Sequence, residues 1–112
     1  MATATYKILG QAQLGTSATV LYTCPGAATG GAVVSTLLLA NTAGSALTYT
    51  LHASNGTVAA GTTCFASAVS IAANDTVALT LGITLASAGV LQGAANVASQ
   101  VTAMAFGSEI VN

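Results

Sequence analysis

Nine side chains in this sequence carry groups that could do proton, nucleophile or metal chemistry: Lys7, His52, Asp75, Glu109, Cys24, Cys64, Tyr6, Tyr22 and Tyr49. A nucleophilic triad would need His52 to meet Asp75 beside a serine. Asp75 stands in Asn74-Asp75-Thr76, a turn signature in which a carboxylate ordinarily accepts from local backbone N–H groups. Cys24, Cys64 and His52 offer three zinc ligands, but none has the close paired spacing of a zinc site, and a fourth ligand is missing. General acid/base work finds little material here. The expectation is therefore no catalytic residue, no metal and no cofactor. The two cysteines are expected to be reduced thiols. Lys7 and Glu109 lie in the first and last strand regions, where two solvated charges are expected ahead of a pair across a sheet.

This scarcity runs through the whole chain. Of 112 residues one is basic and two are acidic, so 3% are charged, against about 25% in an ordinary soluble domain. A chain of this size makes one domain, residues 1–112, with an accessible surface of roughly 5,500 Å². Three charges do not cover such a surface. The 17 threonines and 25 alanines point instead to neutral polar dressing, and to faces hidden against other chains. A net charge of −1 supplies no attraction for phosphates, so neither nucleic acid nor anionic lipid is an expected partner. Mean hydropathy is high at +0.80, yet the most apolar window, residues 31–51, is broken by Ser, Thr, Asn and Gly. No membrane span is expected. The start, MATATYKILG, lacks the basic and apolar regions of a secretion signal, so synthesis in the cytoplasm is expected.

Elements follow from periodicity. Residues 76–85, TVALTLGITL, alternate strictly: Val77, Leu79, Leu81, Ile83 and Leu85 share one face, and Thr76, Ala78, Thr80, Gly82 and Thr84 share the other. Further strands are predicted at residues 3–9, 17–23, 32–40, 46–53, 62–71 and 97–106. They are separated by turn chemistry at Gly10, Gly15, Pro25-Gly26, Gly30-Gly31, residues 41–44, Asn55-Gly56, Asn74-Asp75 and residues 89–93. Only residues 86–100 offer room for a short helical turn. Seven or eight short strands with regular breaks predict an all-β protein, a β-sandwich of jelly-roll type, with short arms at residues 1–6 and 109–112.

Face assignment then singles out neutral positions. In 46–53, Leu47, Tyr49 and Leu51 point to a core, and Thr48, Thr50 and His52 point away. In 62–71, Phe65, Val69 and Ile71 are predicted inside and Cys64 outside. In 32–40, Val33, Leu37 and Leu39 share one side, and Val34 and Leu38 the other. Edges without Lys or Pro tend to pair with other chains unless an assembly covers them. The candidate contact residues are Thr48, Thr50, His52, Thr76, Thr80 and Thr84, because small neutral side chains lose little entropy on burial.

Five segments carry a family resemblance: YKILGQ (6–11), TVLYTCPG (19–26), STLLLAN (35–41), TLGITLASAGV (80–90) and FGSEI (106–110). In order and along nearly the whole chain, they resemble the small β-rich capsid decoration, or cement, proteins of tailed bacteriophages. Where that pattern often carries an acidic residue after a glycine, this chain has Ala88-Gly89-Val90. The resemblance implies a non-enzymatic virion protein on the capsid exterior. It further implies a homo-oligomer, as a trimer, bound to the major capsid protein of the phage head. A tail or fibre module contacting a host surface is the alternative, and an ice-binding face the third reading, although no regular T-x-T array is present.

Overall fold

The computed structural model describes residues 3–54 and 64–111, leaving aside the side chains of Cys64 and Leu81. The described strands are β1 (Thr3–Gln13), β2 (Thr19–Thr23), β3 (Gly31–Asn41), β4 (Leu47–Ser54), β5 (Cys64–Ile71), β6 (Thr76–Leu85), β7 (Val90–Ala95) and β8 (Val101–Val111). All pairings are antiparallel: β1 with β8, β2 with β7, β3 with β6 and β4 with β5. The chain is thus one long ribbon folded back on itself, first strand against last, second against seventh, and so inward. Two further pairings, β3 with β8 and β4 with β7, roll that ribbon into two four-stranded sheets, ordered β1-β8-β3-β6 and β2-β7-β4-β5. This is the jelly-roll connectivity that the strand count predicts. No helix occurs among the described residues.

The sheets enclose one core. Leu37 and Leu39 from β3, Leu51 from β4, Ile71 from β5 and Leu91 from β7 are almost wholly shielded from water, each contributing about 1.5–3 kcal/mol of transfer free energy. The alternation read for β4 and β6 holds: Leu47, Tyr49 and Leu51 are buried, and the threonines of β6 are exposed. The molecule is a slab of 48 × 25 × 18 Å, so the outer faces of its two sheets are its broadest surfaces.

Four expectations need correction, and two of the corrections involve extra residues in strands. In β5, Ala68 takes φ +48° and the register against β4 slips between Tyr49 and Leu51. That bulge changes the phase of the strand. Ala66 packs on the core before it and Ile71 after it, so Phe65 turns outward at 41% exposure, while Val69, opposite buried Tyr49, keeps its predicted side but is 39% exposed on this edge strand. In β3 a slip between Val34 and Thr36 does the same. Ala32 and Val34 are buried before it and Leu37 and Leu39 after it, so Val33 does not share their side. At the C-terminal end, residues 90–95, where a turn over 89–93 is expected, form β7; the turn lies at 96–100, inside the expected strand 97–106, and β8 starts at Val101. The break lies not at the glycines but at Asn96, whose Oδ1 accepts from the Thr48 N–H at 3.0 Å, and Ser99, with φ +62°. Gly93 sits inside β7, where a Cβ would press on the Leu14 and Leu51 side chains. The described terminal residues 3–6 and 108–111 are not separate arms but pair with each other, Thr3 facing Val111. Asn55-Gly56 lies outside the described residues.

Candidate interaction surface

The six candidate residues do not gather in one place. Thr76, Thr80 and Thr84 lie along β6, an edge of the β1-β8-β3-β6 sheet, and are exposed. Thr48, Thr50 and His52 lie on β4 in the other sheet and are half-buried on its outer face. Two of these threonines also have local work. Thr50 Oγ1 accepts from the Ala68 N–H at 3.0 Å and so steadies the β5 bulge, and the Thr84 hydroxyl donates to the Gly82 carbonyl at 3.4 Å.

Register extends each triplet into a face. Across β1, β8, β3 and β6 run four rows: Gln13, Thr102, Ala40, Thr76; Gln11, Met104, Leu38, Ala78; Ile8, Phe106, Thr36, Thr80; and Tyr6, Ser108, Val33, Thr84. None of these positions bears a formal charge. Hydroxyls line the β6 side, and larger apolar groups fill the middle and the β1 side. Tyr6 is 82% exposed and Ile8 50%. On either side of Phe106, β1 and β3 each carry an extra residue: Leu9 between the partners of Phe106 and Ala105, and Ser35 between those of Gly107 and Phe106. The Ser35 hydroxyl donates to the Phe106 carbonyl at 3.2 Å. These bulges leave a shallow depression of about 410 Å³ lined by Tyr6, Lys7, Ile8, Ser35, Phe106 and Gly107. A side chain at position 107 would run into the Val33 carbonyl oxygen, so glycine there keeps β8 and β3 paired. The β1 side of this face was missed by the sequence reading, although Tyr6 and Ile8, two apart beside Lys7, give the signal. The strands β2, β4, β5 and β7 of the other sheet contain no Asp, Glu, Lys or Arg at all.

The charges of the first sheet are used up internally. Glu109 takes Lys7 Nζ on Oε1 at 2.8 Å and the Tyr22 hydroxyl on Oε2 at 2.6 Å. The pair that sequence ranked second is therefore present, lying diagonally across the β1–β8 ladder, where Thr5 faces Glu109 and Lys7 faces Gly107. Lys7, and then Tyr22, hold the Glu109 carboxyl below its ordinary range against the opposing effect of burial. Burial and the adjacent carboxylate push the Tyr22 phenol far up. Burial likewise raises the Cys24 thiol, which is free and inaccessible, so the neutral, poorly nucleophilic form prevails. Cys24 directly follows the β2 edge of its sheet and Cys64 begins β5 at the opposite edge. Three strand spacings of about 4.8 Å separate those edges, beyond the ~7 Å limit for a disulfide.

His52 and Asp75 do not converge. The β5–β6 turn that holds Asp75 adjoins Leu47, which faces Ile71, and His52 lies five residues along β4, about 17 Å away at strand rise. Asp75 Oδ1 accepts from the Thr76 N–H at 2.9 Å, as its turn signature implies. Among the described residues no three His, Cys, Asp or Glu side chains gather in one place. No described helix is long and apolar enough to cross a membrane.

Comparison with protein families, with curated proteins and with solved structures finds no match.

Proposed function

We propose that this protein is a non-enzymatic virion structural protein, a capsid decoration protein that binds the outside of a phage head and stabilises junctions between major capsid protein subunits. The observation that carries the reading is a thin slab with two broad uncharged faces, its one described ion pair joining two of its own strands. Such a slab can hold a sister copy on one face and a shell on the other. Flat arrays of Thr, Ser and Ala permit close backbone approach at small entropic cost, and their hydroxyls supply lateral hydrogen bonds. Stabilisation then works by linkage: a protein that binds the assembled lattice and not the dispersed subunits shifts the equilibrium toward the lattice. Avidity over repeated sites multiplies the effect.

The test is rebinding. Purified protein is added to heads stripped of it, and the bound fraction is counted after sedimentation. Saturable binding at hundreds of copies per particle supports the reading. Binding only to tails, at a few tens of copies or fewer, moves the protein to the tail or fibre, and absence of binding to any particle refutes both.

A further inference from the structure

We propose that the outer face of the β1-β8-β3-β6 sheet is covered by a second copy of this chain, packed about a twofold axis beside Tyr6. This assigns one of the two faces used above and rests on that reading only for its biological setting. The geometry supplies a knob and a socket side by side: Tyr6, 82% exposed on β1, lines the same depression as Ser35, Phe106 and Gly107. In a twofold contact residue i meets j and j meets i, so a knob adjacent to its own socket is self-complementary. A ring or trimer would need the two on different flanks.

Charge and size favour the same occupant. A partner carrying ions here would give up their hydration with nothing to pair them, because none of the row positions is charged and Lys7 at the rim is bound to Glu109. A second copy brings an equally uncharged face. Four strands about 4.8 Å apart and four rows about 7 Å apart give roughly 19 by 27 Å, or about 500 Å² in plan. Two such faces together bury about 1,000 Å², the low end for a specific pair, as suits a dimer that separates on dilution. The contact is twofold and so departs from the trimer that the family resemblance implies.

Light scattering coupled to size exclusion tests it on the full chain, without any capsid, so its outcome is separate from shell binding. The expected mass is twice 10.7 kDa, falling to one chain on dilution. Tyr6→Asp and Ile8→Lys, both at exposed positions, are expected to weaken the pair at least tenfold with far-UV circular dichroism unchanged. Phe65→Lys, on the other sheet, is expected to leave the pair intact. A monomer at all concentrations, a trimer, or a dimer indifferent to both face variants would overturn the proposal.

Discussion

Two residues show how a chain so poor in ions secures its fold. Asn41 is buried at the end of β3; its Nδ2 donates to the carbonyls of Ser45, Ile71 and Ala72, and its Oδ1 accepts from the Ala43 N–H. One amide thus ties β3 to both connections beside it. Asn41→Ala strands several of these backbone groups, and a loss of about 2–3 kcal/mol is expected in urea unfolding. Glu109 does the equivalent work between the sheets, through Lys7 and Tyr22. Its folded pKa lies below the ordinary value near 4.5, so its contribution is complete above pH 4.5 and is lost as pH falls through the folded value. Glu109→Gln is expected to remove that acid-dependent part of the stability, leaving a shallower slope of melting temperature between pH 5 and pH 3. An unchanged slope would show that the pair contributes nothing.

At the scale of elements, alternation was legible and bulges were not. Strand β6 could be read because its sequence alternates throughout and its faces keep the same parity on both sides of the slip opposite Ser35, and β4 likewise keeps its parity. A bulge adds one residue of ordinary composition, and nothing in the alanine at position 68 or the serine at position 35 announces a change of phase. Phe65 and Val33 were therefore placed on the wrong side. The C-terminal error has another cause: glycine was read as punctuation, whereas Gly93 serves close packing inside β7, and the true turn depends on Asn96 bonding to distant β4. The candidate contact residues of the sequence reading lie on β4 and β6, whereas the apolar side of the face, at Tyr6 and Ile8, was passed over although their spacing beside Lys7 signals it, and the β1–β8 register joins them to that face. The β5 bulge gives its own test. Ala68 holds a left-handed conformation that glycine adopts without strain, so Ala68→Gly is expected to stabilise by up to about 1 kcal/mol. Destabilisation would mean that the alanine methyl makes a contact that outweighs the strain.

The whole molecule is a nested ribbon whose outermost pairing joins residue 3 to residue 111. Such non-local pairing makes folding slow, and refolding in milliseconds to seconds or longer is expected from stopped-flow fluorescence of the tyrosines. The same closure leaves β1, β6, β2 and β5 as sheet edges, none guarded by proline and only β1 by a lysine. Edges and faces of this kind are safest in an assembly. The central claim is that binding of this protein to a shell strengthens it, and the rupture temperature of heads measures that directly. Heads carrying the protein are expected to release their DNA at a higher temperature than heads stripped of it, with the difference restored when purified protein is added back. Equal rupture temperatures for bare and decorated heads would contradict the account.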